Sequence, residues 1–167
     1  PGTDIETYRP LRPGEEEVKI DLPEKYIFCI SRIDSNKGHD LLLYAFDLAR
    51  RELPDVHLVI GGGSPQPKER ELGMEDRVHI IGYVPDELMA PYYRQAQLFA
   101  LPSVFEPFGM TTTEAMACGT PVVASKFGGI RNVIRNWENG VLVDPTNAEE
   151  FAGAMVTLCR DRELARR

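Results

Sequence analysis

Six short apolar runs, KYIFCI, VHLVI, VHII, LFAL, PVVA and VLV, recur along the chain with helical or loop-like segments between them. They are rich in branched and aromatic residues, and each is too short to be a buried helix. Short apolar strands alternating with helices specify an α/β fold, a Rossmann-like parallel sheet of about six strands with helices on both faces. The spacing is βα alternation and not that of a solenoid repeat.

In chain order, residues 25–30 form the first strand. A helix follows over 40–53, with Leu42, Ala45, Phe46, Ala49 and Leu53 at helical spacing and Pro54 closing it. The strand over 56–60 runs into Gly61, Gly62 and Gly63, a triplet that suits either close approach to a ligand or a tight exit turn. The connection SPQPKERELGMED is short for a crossover. It holds a stub of helix, or residues are missing from it. Strands over 78–81, 98–101 and 121–124 follow, with helices over 86–96 and from the threonines near 111 to Cys118-Gly119. A short helix reaches about Arg135 before the VLV strand. Asn147 and Glu150 have capping-box spacing ahead of a last helix that carries Phe151, Ala154, Met155 and Leu158 inward.

A length of 167 residues suffices for one domain with a real core. Residues 1–24, turn-rich and charged, read as an entry segment arriving from an upstream domain, and 25–167 as the domain itself. A net charge of -7 argues against general nucleic-acid binding. Cys29, Cys118 and Cys159, odd in number and in apolar surroundings, read as reduced thiols of a cytoplasmic protein. There is no membrane-spanning run. His39, His57 and His79 have no metal-ligand spacing and receive no catalytic role, and no Asp-x-Asp pair is present, so neither a metal nor a cofactor is implied.

In parallel sheets ligands bind beyond the carboxyl ends of the strands, and the polar, glycine-bearing loops 31–38, 61–64, 82–85, 103–109 and 126–129 all sit at such ends. The densest stretch is SVFEPFGMTTTEAMACGTPVVASKFGG, with Glu106 and Glu114 eight positions apart. Pro107 biases Glu106 to an extended shape, and Gly109 admits close approach. Thr111 or Thr112 can cap the helix that follows, whose N-terminus then favours an anion. A ligand-free reading stands beside this one: Glu114 favours an early helical turn by itself, and Glu106 can be a solvated loop residue. Arg32 and Lys37, five apart, either neutralise a diphosphate together or belong to an ordinary solvated loop.

EPFGMTTTE, ACGTPVVA and FGG, preceded by SRIDSNKGH and followed by NGVLVDP, resemble the C-terminal domain of retaining GT-B glycosyltransferases, the glycogen synthase and sucrose-phosphate synthase group in particular. The resemblance covers nearly the whole chain. It implies a domain that binds a nucleotide-sugar donor, with the acceptor held by an N-terminal half. It further implies that Arg32 and Lys37 contact the donor diphosphate, Glu106 the donor sugar and Glu114 the ribose. Backbone N–H groups of Phe108, Gly109 and Met110 lie near sugar and phosphate, Thr111 at the phosphate-facing helix start, and Gly61 and Val84 at the nucleotide and base edge. UDP-glucose is the favoured donor, GDP-mannose the next, and a sugar phosphate such as fructose 6-phosphate the acceptor. Two departures stand out: Gly61 to Gly63 replaces the family's Gly-acid-Gly, and the connection after it lacks most of a helix. The competing expectations are a nucleotide-sugar-binding module without turnover and a GT-B-like nucleotide-sugar epimerase, whose carboxylate and histidine set is not found.

Overall fold

The computed structural model describes residues 2–31, 38–62, 72–103 and 110–166. Six strands, β1 (Tyr26–Ile30), β2 (His57–Gly61), β3 (Val78–Gly82), β4 (Leu98–Leu101), β5 (Val122–Ser125) and β6 (Val141–Val143), form one sheet in the order β3-β2-β1-β4-β5-β6. Every neighbouring pair is parallel. The α/β, Rossmann-like expectation of about six strands is met. The order reverses between β1 and β4, which makes a topological switch point.

Alternate strand residues feed two cores. Ile27, Cys29, Leu58, Ile60, Leu98, Ala100 and Val123 point to one face, where they meet α1 (His39–Ala49) and the later helix over Ala148–Arg160. Tyr26, Phe28, Val59, Phe99, Val122 and Ala124 point to the other, against α2 (Asp86–Gln95) and α3 (Met110–Ala117). Both faces are covered, which is why the strands read as continuous apolar runs and not as alternating ones. The helix over Ala148–Arg160 is α4 in chain order, followed by the short α5 (Arg162–Ala165).

Several boundaries differ from expectation, each for a local reason. Helix α1 stops at Ala49 and not at 53. Beyond it the Glu52 and Leu53 N–H groups donate to the Ala49 and Arg50 carbonyls, an i to i+3 tightening, because a residue before proline resists the α conformation. Between β5 and β6 a single 3-10 turn, Gly129–Asn132, replaces the helix expected as far as Arg135. There Asn139 folds back, accepting from the Arg135 N–H at 2.7 Å and donating to the Val133 carbonyl at 3.2 Å, so a side chain takes the bonds a helix would use. Asn147 caps α4 by accepting from the Glu150 N–H at 3.1 Å. The reciprocal half of the box is not made, because the Glu150 carboxylate accepts from the Asp144 N–H instead.

Residues 2–24 contain neither helix nor strand, yet they are docked on the α2 and α3 side. Tyr8, Ile20 and Leu22 pack against that core. Arg94 of α2 grips the Glu17 carboxylate as a fork, with Nε at 2.7 Å and Nη2 at 2.9 Å, and also donates to the Arg9 carbonyl. Thr3 Oγ1 donates to Thr113 Oγ1 at 2.9 Å, which ties the start of the segment to α3. The short connection after Gly62 lies largely outside the described residues.

Candidate functional site at the strand switch point

The candidate site lies at the carboxyl ends of β1, β2, β3 and β4, where residues 32–37, 63–71 and 104–109 lie outside the described residues. The chain entering α1 closely approaches the chain leaving β4. A Cβ added to Gly38 would stand 2.6 Å from the Pro102 carbonyl oxygen, and Gly38 has φ of +77°. Only glycine meets both demands without strain. Gly62 is held in the same way: its φ is +72° and a Cβ there would come within 2.2 Å of the Ser31 carbonyl oxygen. The ends of β1 and β2 are thereby pressed together.

Gly61 and Val84, both expected at the nucleotide edge, are brought together. Both are buried, and a Cβ on Gly61 would sit 2.9 Å from Val84 Cγ2. The side chain of Val84 therefore packs inward against Gly61. Its neighbour Tyr83 is 81% exposed.

Met110 is the first residue of α3, so Thr111 and Thr112 lie inside the first turn and neither occupies the cap position that the sequence proposes for them. Residues 104–109, which precede the helix, lie outside the described residues. Thr112 is buried and its hydroxyl has no hydrogen-bond partner among the described residues, and Ser103, at the exit of β4, is in the same condition. Glu114, one turn inside α3, is only 8% exposed, and the Tyr93 hydroxyl of α2 donates to its Oε2 at 2.9 Å. Arg32, Lys37, Glu106, Phe108 and Gly109 lie outside the described residues.

Sequence reasoning passed over two groups that the fold places here. His39 opens α1, and its Nε2 lies 2.9 Å from the Ser31 Oγ across the two ends of the first loop. Burial lowers its pKa, against a smaller opposing pull from Asp40, so the neutral imidazole is favoured. Tyr93 is the second. Its signal in sequence is no more than an apolar position on a helix, since its partner lies 21 residues away.

His57 and His79 lie away from this edge, with Nδ1 of the first 2.9 Å from Nε2 of the second across β2 and β3. Among the described residues no three His, Cys, Asp or Glu side chains form a metal-binding group. Burial pushes the thiols of Cys29 and Cys118 up to about 12 and about 11, so neither is a nucleophile. At the opposite end of the sheet a cavity of about 200 Å³ is lined by Gly119, Pro121, Trp137, Gly140 and Leu164. Trp137 there has φ of +65°.

The family model described as glycosyl transferases group 1 matches residues 14–167. The chain belongs to the group 1 glycosyl transferases. As a member of that family it is 33% identical over 93% of its length to a mannosylfructose-phosphate synthase of Agrobacterium fabrum. It is 35% identical over 99% of its length to a D-inositol 3-phosphate glycosyltransferase of Thermomonospora curvata. It spans 38% and 43% of those relatives, about two fifths of each. Among solved structures, a sucrose-phosphate synthase of Thermosynechococcus elongatus superposes with a TM-score of 0.82 at 30% identity, over 99% of this chain and 43% of that one. Anabaena HepE in complex with UDP and glucose gives 0.83 at 26% identity, over 99% of this chain and 47% of that one. This group 1 glycosyl transferase therefore has the fold of one GT-B half. No helix among its described residues is long and apolar enough to cross a membrane.

Proposed function

We propose that the chain is the donor-binding half of a retaining, metal-independent hexosyltransferase of the cytoplasm. The donor is a nucleotide diphosphate sugar, UDP-glucose ahead of GDP-mannose, and the acceptor a sugar or sugar phosphate held by an N-terminal half. The observation that carries this reading is Glu114: a buried carboxylate one turn inside the helix that opens at the β1/β4 switch point, in a member of this family. A crevice at that point is where doubly wound sheets take nucleotides.

In this reading Glu114 accepts hydrogen bonds from the ribose hydroxyls, and the backbone at Gly61 and Val84 borders the base. Arg32 and Lys37 neutralise the diphosphate, and the N–H groups opening α3 at Met110 and Thr111, with those of Phe108 and Gly109, meet phosphate and sugar. Glu106 holds the sugar hydroxyls. Cleaving the anomeric C–O bond leaves the electron pair on the departing diphosphate. Two cations and a helix N-terminus stabilise that growing charge without a metal. Glu106 is a binder and not a nucleophile, because the second carboxylate serves the ribose and no acid/base pair of glycosidase type is left. The acceptor hydroxyl attacks from the face that the diphosphate leaves and gives its proton to the departing phosphate oxygen. Two of the similar structures support the donor class, because the HepE structures contain UDP with glucose and UDP-glucose. The sucrose-phosphate synthase and mannosylfructose-phosphate synthase likenesses support a sugar-phosphate acceptor such as fructose 6-phosphate.

Calorimetric titration with UDP, GDP, UDP-glucose and GDP-mannose, with and without EDTA, tests the reading. One nucleotide family is expected to bind equally in both conditions and to lose affinity in Arg32→Ala. Loss of binding on adding EDTA contradicts metal independence. A second reading, a nucleotide-sugar-binding module without turnover, draws on the chain spanning about two fifths of its relatives. Glycosyl transfer on adding an N-terminal half separates the two.

A further inference from the structure

Glu114 is a carboxylate with 8% of its surface exposed, set into the aromatic side of the sheet. Such a group is held in place only by donors, because an ionised carboxylate can do nothing but accept. One donor is the hydroxyl of Tyr93, at 2.9 Å from Oε2. The Tyr93 ring has no freedom of its own. It packs edge-on against Phe28 at 5.6 Å, Phe99 at 5.4 Å and Tyr8 of the docked opening segment at 6.0 Å. Its backbone carbonyl accepts from Thr120 Oγ1 at 2.6 Å, which ties the same residue to the exit of α3. Burial, reinforced by the Glu114 charge, holds the phenol well above its ordinary range, so it remains a proton donor throughout the neutral range.

We propose that Tyr93 is a positioning residue for nucleotide recognition: its hydroxyl fixes the Glu114 carboxylate in the orientation that meets the ribose hydroxyls of a nucleoside diphosphate. The inference rests on the ribose-binding reading of Glu114. The opening segment shares in it, since Tyr8 packs edge-on against the ring that makes the bond and Thr3 holds Thr113, the neighbour of Glu114, on α3. A second consequence is that the carboxylate's freedom is spent in folding and not on binding, as a preorganised site requires.

The test compares UDP and GDP with their 2′,3′-dideoxy counterparts in the wild-type chain, Tyr93→Phe, Glu114→Gln and the double variant. Tyr93→Phe keeps the ring and its packing. The result expected is a loss of about tenfold in affinity for the ribonucleotide in Tyr93→Phe, with the dideoxy affinity unchanged. The double variant should be no weaker than Glu114→Gln. A merely structural tyrosine would weaken both ligands together, and that outcome overturns the proposal. Unaltered preference for the ribonucleotide in Tyr93→Phe overturns it while leaving the donor-site reading intact. A wild-type chain that binds neither nucleotide, or does not distinguish ribose from dideoxyribose, overturns both.

Discussion

Gly38 and Pro102 meet at the carboxyl edge of the sheet: a Cβ on the glycine would stand 2.6 Å from the Pro102 carbonyl oxygen, in a backbone with φ of +77°. One residue precedes α1 and the other follows β4, so this contact joins the two loops on either side of the switch point. Gly38→Ala must displace a backbone carbonyl and adopt a left-handed conformation. We expect it to cost about 2–4 kcal/mol, lowering the melting temperature by about 5–12 °C, with nucleotide affinity falling alongside. Differential scanning calorimetry and titration on the same sample check both.

Gly61 and Val84 give a paired test. Gly61→Ala places a methyl 2.9 Å from Val84 Cγ2 and should destabilise by about 1–3 kcal/mol. Val84→Ala alone leaves a small cavity at a buried position and should cost about 1–2 kcal/mol. The double variant should be less damaged than the sum by at least about 0.5 kcal/mol, because each change makes room for the other. Strict additivity in urea denaturation would show that the two residues do not touch.

Arg94 is the clamp on the opening segment through its forked bond to Glu17 and its bond to the Arg9 carbonyl. The pair is partly exposed, so the expected cost of Arg94→Ala is modest, about 1–2 kcal/mol. Limited proteolysis should show faster cutting within residues 2–24, with the sheet still protected.

Acid should weaken the fold between neutrality and the lowered histidine values. His39 is depressed by burial, and His57 by burial and then by its neighbours His79 and Arg77. A depressed folded pKa means that the unfolded chain binds the proton first. The stability is therefore present above the ordinary value of 6.5 and is lost as pH falls through it towards the lowered folded values. Melting temperature should fall from pH 7.5 to pH 5.5, and the slope should flatten in His39→Gln, whose amide can still reach the Ser31 hydroxyl. A wild-type slope preserved in that variant would place the titrating group elsewhere.

The sheet was legible because a buried parallel strand writes itself as a run of apolar residues, and all six runs, KYIFCI through VLV, became strands. The proposal of a site at the carboxyl edge rests on the same alternation. Relations across the chain were not legible. Nothing in the sequence around Tyr93 announces a bond to Glu114, and Gly38 looks like any loop glycine until Pro102 is set against it. The opening segment reads as a tail because its composition is polar and turn-rich. Its docking shows in scattered contacts that composition does not reveal, among them Tyr8, Ile20 and Leu22 packed on the core, the Arg94 fork and the Thr3–Thr113 bond. Thr111 and Thr112 fall inside α3 and not at its cap, since three consecutive threonines do not by themselves mark a helix start.

The most direct test of the central claim is a 1H-15N chemical-shift titration of the chain with UDP and with GDP. If the switch point between β1 and β4 is the donor site, the amides of Ser31, Gly61, Val84, Met110, Thr111 and Glu114 shift with one of the two nucleotides. Those lining the opposite cavity, Gly119, Trp137 and Gly140, stay still. Shifts confined to Gly119, Trp137 and Gly140, with the six carboxyl-edge amides unmoved, would contradict the assignment of the site.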